Sequence, residues 1–312
     1  MSAQSGTREL GEFLRTLRNR INPEEIGLPT YGERRRVAGL RREELAMLAG
    51  VSSSYYTRLE QGHSRNASPE VLDAIAGALQ LGEAERQHLR DLATSSSRRP
   101  TSRRPPVEHV DPALSQLLAS IPNVPAIVLG RRSDVLAWNR LGHALLAGNI
   151  DFSAASDPKR RPNMAEVVFL DPNSRDLYTD WLAKARAVVG NLRIVAGQFP
   201  DDPVLSSLVG TLSMASTQFA QMWAEHRIRP CASAVYEMHH SLVGALTLTQ
   251  QTLRSVEHPE QTIVTCTAVP GSSSAEALVL LAHTHPGRDH AHLLASFRAT
   301  AHDHRGFGSE PN

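Results

Sequence analysis

The chain has 312 residues, 41% of them hydrophobic and 21% charged, with a formal net charge of +1. At roughly 100–200 residues per domain, this length predicts two domains. No window approaches the roughly 18 uninterrupted apolar residues of a membrane span, the opening MSAQSGTREL lacks the apolar stretch of a secretory signal, and Cys231 and Cys266 are too few for a disulfide scaffold or a four-cysteine zinc site. The expectation is a reduced, cytoplasmic protein with no membrane partner.

Charge is unevenly distributed. Residues 1–104 carry 17 Arg against 13 acidic residues, whereas residues 105–312 carry 16 basic against 19 acidic. A basic amino-terminal part points to a polyanion partner for that part alone. Only Lys159 and Lys184 are lysines. The skew towards Arg suggests a GC-rich bacterial source, and it supplies forked donors suited to phosphate.

In chain order, residues 7–94 are expected to form a bundle of short helices. Leu10, Phe13, Leu14, Leu17 and Ile21 follow helical spacing, and Asn22-Pro23 ends that helix. Leu45, Ala46, Leu48 and Ala49 mark a short helix that Gly50 stops. Ser52 can cap the next, SSYYTRLEQ. Ser68-Pro69-Glu70 opens a fourth, and GEAERQHLRDLA a fifth. Residues 95–107, rich in Ser, Arg and Pro, read as a linker.

The second domain, residues 108–285, is expected to be α+β. VPAIVLGRRSDVLAWN suggests two strands around a turn at Gly130–Ser133. Helices are predicted at 178–192, 203–213 and 218–227. ASAVYEMHH, GALTLTQQTL and TIVTCTAV predict three further strands, and PGSSSAEALVLLA a final capped helix. Residues 286–312 read as a polar, His-containing tail, at least partly disordered.

The motif EELAMLAGVSSSYYTRLEQG, residues 43–62, carries the strongest chemical signal. A helix-turn-helix needs a small residue at the helix contact, a tight turn, and a second helix with one buried and one outward face. Ala46, Gly50 and the seam of Val51, Tyr56 and Leu59 meet these needs. Ser53, Ser54, Tyr55 and Arg58 then face outward, as candidate base contacts in a major groove. Arg58 could pair bidentately with guanine. Arg35, Arg36, Arg41, Arg42 and Gln61 are the candidate phosphate contacts.

These residues resemble lambda-repressor-like (XRE-type) helix-turn-helix regulators. From end to end the chain resembles MmyB-like bacterial transcription regulators, through LAWN, FLDPNSRDLYTDW, DDPVLSSLVGTLS, FAQMWAEHRIRP, VGALTLTQQTL and AVPGSSSAEALVLLA. The resemblance implies an all-α helix-turn-helix bundle followed by a PAS-like α+β ligand-binding domain, in some members thought to hold a fatty-acyl molecule. Two departures stand out: His63 to Ala67 where members show a basic residue and Pro, and His240-Ser241 in place of His-Pro.

A ligand pocket in the second domain would have apolar walls and a few polar anchors. Candidate walls are Val128, Trp138, Phe169, Trp181, Trp223, Tyr236 and Leu246; candidate anchors are Asn139, Arg193 and His240. The same aromatics suit core packing, and no spacing separates the two uses. Asp171, Asp176 and Asp180 could pair for acid–base or metal work, but Asp171-Pro172 and Asp202-Pro203 carry the signature of helix caps. PGSSSAE lacks a nucleophile elbow. The His pairs between His283 and His304 suit exposed tail positions more than a metal site. No catalytic residue, metal or cofactor is expected.

The sequence thus predicts a regulator that binds a roughly palindromic duplex operator as a homodimer and senses a small apolar or amphipathic effector. The alternatives are a second domain that serves only dimerisation or protein interaction, and an enzyme fused to a DNA-binding head.

Overall fold

The computed structural model describes residues 3–24, 26, 39–63, 67–95, 107–225 and 233–284. The head contains α1 (Ala3–Arg20), α2 (Arg42–Leu48), α3 (Ser53–Glu60), α4 (Pro69–Ala78) and α5 (Glu83–Ser95). The predicted apolar stripes converge on one core. Leu10, Phe13, Leu14 and Leu17 of α1 meet Leu45, Tyr56, Leu59, Ile75, Leu89 and Leu92. Local chemistry sets the ends. Ser68 accepts from the Val71 amide at 3.4 Å, and Pro69 takes the first helical position, where its missing N–H costs nothing.

The second domain runs α6 (Pro112–Ser120), β1 (Ala126–Leu129), β2 (Val135–Trp138), α7 (Arg140–Ala147), a 3-10 turn at Phe152–Ser156, α8 (Met164–Leu170), α9 (Pro172–Leu177), α10 (Trp181–Gln198), α11 (Pro203–Ala215), α12 (Thr217–Ala224), β3 (Ser233–His240), β4 (Gly244–Arg254), β5 (Thr262–Thr267) and α13 (Ser273–Thr284). The strands form one antiparallel sheet in the order β2-β1-β5-β4-β3. The molecule is therefore a helical head followed by a PAS-like α+β domain.

Strand alternation gives the sheet two faces. Val128 and Ile263 pack with Leu114 and Leu118 of α6. Their neighbours Ile127 and Val264 face the opposite way. The hairpin between β3 and β4 closes despite Ser241 in place of Pro, because Gly244 adopts φ +75° opposite His240.

Two elements differ from the sequence expectation. Helix α6 was not anticipated, although Asp111 caps it through the Ala113 and Leu114 amides, with Pro112 in its first turn. Helix α10 begins at Trp181 rather than Tyr178 and runs on to Gln198. Asp180 caps it by accepting from the Ala183 amide at 2.9 Å. That leaves Tyr178 extended in a bridge to Met238, with the Thr179 amide donating to the Glu237 carbonyl. Tertiary pairing with β3 therefore overrides local helical spacing.

The two modules are packed together along α10. A Cβ built on Gly197 would lie 2.4 Å from the His88 ring of α5. Gln198 donates to Asp91 of α5 at 3.2 Å, and Arg20 of α1 donates to the Glu225 carbonyl beyond α12.

Gly142 makes a similar approach inside the second domain, where an added Cβ would lie 2.4 Å from the Ala126 carbonyl oxygen of β1. Gly142→Ala should force α7 off the sheet and cost about 1–3 kcal/mol, read as a lower urea midpoint. An unchanged midpoint would show that α7 shifts without cost.

Candidate DNA interface and ligand cavity

In the head, Gly50 makes the motif turn at φ +65°, and Ser52 caps α3 by accepting from the Tyr55 amide at 3.2 Å. Such a cap contributes about 1 kcal/mol. Tyr56 and Leu59 are buried, Val51 packs against the same core, and the Val51 amide donates to the Ala46 carbonyl at 2.9 Å. The outward face is then set. Ser54, Arg58 and Gln61 are exposed, and Ser53 and Tyr55 are half-buried.

The last residue of α3, Glu60, has no exposed side-chain surface yet is charged. It accepts from Arg18 Nε at 2.8 Å and from Arg42 Nε at 2.9 Å, with Arg15 at 3.6 Å. Burial alone would raise the Glu60 carboxyl; the hydrogen bonds and charges of Arg18 and Arg42 outweigh it and hold the carboxyl below its ordinary value. Three arginines from α1 and α2 thus clamp the far end of the recognition helix.

Arg42 belongs to this clamp. Its guanidinium pairs with Glu60 while the side chain stays 36% exposed, so it braces α3 from the start of α2. Arg41 precedes it as an exposed residue, its amide donating to Glu44 at 2.7 Å. Arg35 and Arg36 lie outside the described residues, as do the loop at Ser64–Asn66 and the tail histidines beyond Thr284.

The second domain encloses a cavity of about 360 Å³ between α10 and the sheet. Ile127 and Leu129 of β1, Val264 of β5, Val168 of α8 and Val188, Ile194 and Val195 of α10 supply apolar wall. Lys184 and Gln250 supply polar wall within it, joined by a hydrogen bond from Nζ to Oε1 at 2.7 Å. The Lys184 ammonium also lies 5.1 and 5.0 Å from the ring centres of Tyr178 and Tyr236. Arg131, Arg254 and Glu260 line the cavity as well. Burial pushes the nearby Cys266 thiol up to about 11, against the pull of the Lys184 charge, so it stays protonated.

None of the ten residues expected to form a pocket lines this cavity. Val128 points through the sheet to α6. Trp138 donates to the Phe152 carbonyl and packs in a separate cluster. Phe169, Trp181, Tyr236 and Leu246 belong to the main core. Asn139 caps α7 and pins the preceding loop through four hydrogen bonds, to Ala126, Ile121, Val124 and Gly142. His240 bonds the Ala144 carbonyl at 3.1 Å. Arg193 and Trp223 stack at 4.4 Å and line a second cavity, of about 370 Å³, facing Glu9, Phe13 and His88 of the head. There burial raises Glu9 to about 7 against the Arg193 charge, and lowers Arg193 to about 10.

Of the carboxylates considered for catalysis, Asp171 and Asp180 each cap a helix, as Asp202 does, and Asp202 also pairs with Arg132 at 2.8 Å. Among the described residues no group of three or more His, Cys, Asp or Glu could hold a metal ion, and no helix is long and apolar enough to cross a membrane.

The model of the MmyB-like transcription regulator ligand binding domain matches residues 110–281, and that of a helix-turn-helix domain matches residues 9–89. The chain belongs to the MmyB-like transcription regulators. A comparison with curated proteins finds no match. In this MmyB-like regulator the first match covers α6 to most of α13, including every strand and the cavity. Lys184 and Gln250 were missed by the sequence reading, yet one signal was available. Lys184 is one of two lysines in an Arg-rich chain, and it stands between Trp181 and Val188 on the apolar side of its helix.

The Glu60 clamp yields a test in the regulator's head. Glu60→Ala leaves Arg18 buried without its carboxylate and should destabilise the head by about 3–5 kcal/mol. The wild-type clamp should weaken as pH falls: a carboxyl held below its ordinary value of 4.5 contributes stability above that pH and loses it on protonation. Head unfolding followed by circular dichroism in urea, at neutral and acid pH, checks both.

Proposed function

We propose that this regulator reads a roughly palindromic operator as a homodimer, through Ser53, Ser54, Tyr55 and Arg58, with Arg35, Arg36, Arg41, Arg42 and Gln61 on the phosphates. The observation that carries this reading is an outward α3 face held rigidly from beneath by Glu60. Two such heads place their helices about one helical turn, 34–36 Å, apart. Arg42 also fixes α2 against α3 through Glu60. The reading is of a protein that works in the cytoplasm, by binding rather than turnover; the capping roles of Asp171, Asp180 and Asp202 support this.

The effector is proposed to be a small amphipathic anion with an apolar body, a fatty-acyl carboxylate being the model case. A volume of about 360 Å³ stands near the lower end of ligand pockets, about 300–1,000 Å³, and favours a slim molecule. The apolar wall supplies burial. Lys184 offers an ammonium already desolvated, to which a carboxylate would bind more strongly than at the surface.

Arg58→Ala should cost about 1–3 kcal/mol on an operator selected from random duplexes and relax preference at one base position, measured by electrophoretic shift. Unchanged affinity for both selected and random duplex would overturn the assignment of α3. Lys184→Met, which keeps the side chain's length, should weaken dodecanoate binding about tenfold or more in titration calorimetry, as a charge-assisted bond is worth about 1.5–3 kcal/mol. Equal binding by both proteins would remove Lys184 from the site.

A further inference from the structure

We propose that the cavity acts on the DNA-binding head through two side chains of α10, Ile194 and Gln198, which belong to both at once; the proposal rests on reading that cavity as the effector site. Ile194 lines the cavity and also packs against the core of the head. Gln198 lines the cavity and also donates to Asp91 of α5 at 3.2 Å. The two are four residues apart and stack on one face of the helix. Cavity and head are therefore separated by a single layer of side chains.

The next residue towards the head removes the slack. Gly197 sits where any Cβ would lie 2.4 Å from the His88 ring, so that ring of α5 rests directly on the backbone of α10. A molecule entering the cavity must either displace Ile194 into the core of the head or leave it in place. A polar group beside Gln198 must likewise share or redirect the amide that holds Asp91. Packed side chains answer such demands by switching arrangement rather than by yielding gradually. The ligand then favours whichever docking of α5 it contacts better, and that difference in affinity is the whole of its leverage on the head.

The test is hydrogen exchange of the α5 amides, residues 83–95, in the full chain. Two perturbations act from the cavity: dodecanoate, and Thr252→Trp, which fills the space from β4 on the far wall. Thr252→Leu repeats the second where Trp unfolds the domain by circular dichroism. Two variants cut the link from outside the cavity: Asp91→Ala removes the acceptor of Gln198, and Gly197→Val wedges α5 off α10. Cavity filling should change α5 exchange about threefold or more in the wild-type background. The change should be reduced in Asp91→Ala, which leaves the Ile194 contact, and reduced further in Gly197→Val, while calorimetry shows dodecanoate binding retained. Should dodecanoate fail to bind while Thr252→Trp still moves α5, the effector class is wrong and the coupling stands. Should neither perturbation move α5, the coupling is overturned, whether or not dodecanoate binds. An undiminished response in both head-side variants would also overturn it, because the path would bypass Ile194 and Gln198.

Discussion

The structure depends on how closely one helix is allowed to approach its neighbours. The second half of α10 has the cavity on one side and α5 on the other, and Gly197 makes the second approach possible by having no side chain. Close packing gives an interior that transmits displacement rather than absorbing it. Arg193 on this seam is held without a full complement of hydrogen bonds. The Nε of Arg193 is buried with no hydrogen-bond acceptor, and its guanidinium is stabilised instead by the face of Trp223. Glu9 stands opposite, raised into the neutral range by the same burial.

Within the head the opposite arrangement holds. Glu60 is surrounded by arginines, and a carboxylate so enclosed defines one geometry for α1, α2 and α3 together. Ion pairs removed from water contribute little net stability but penalise any arrangement that separates them. The recognition surface is thus specified by a buried charge beneath it, while Ser54, Arg58 and Gln61 stay exposed above it. The clamp in the head and the seam between the modules both set arginine beside glutamate, and they differ in whether the partners touch.

How much of this was legible in the sequence follows from the range of the interactions. The head was readable because its signals are local: Ser52 and Ser68 as caps, Gly50 as the turn, and apolar stripes at helical spacing each act within a few residues. The strands were legible for the same reason. The cavity was not, because it joins β1, β4, β5, α8 and α10, and no spacing encodes that meeting. Tryptophans drew attention as pocket walls, yet Trp138 and Trp181 each spend their N–H on a backbone carbonyl and fill core. Asn139 was a polar residue in a suggestive place, and its four hydrogen bonds show a structural task. The Arg42–Glu60 bond was not legible either, because its partners lie eighteen positions apart, beyond the reach of local reasoning.

The shared wall has a bearing on how such a protein could be recombined. A cut in the Ser, Arg and Pro stretch after α5 divides the chain where its composition changes, and suggests that heads and sensors trade freely. The contact surfaces divide it elsewhere. Ile194, Gly197 and Gln198 belong by sequence to the sensor and by contact to the head. A chimera that grafts a foreign head onto this sensor would inherit a complementary face made for another α5. It would bind its operator and hold its effector, and the two events would be deaf to one another until that stripe of α10 travelled with the head.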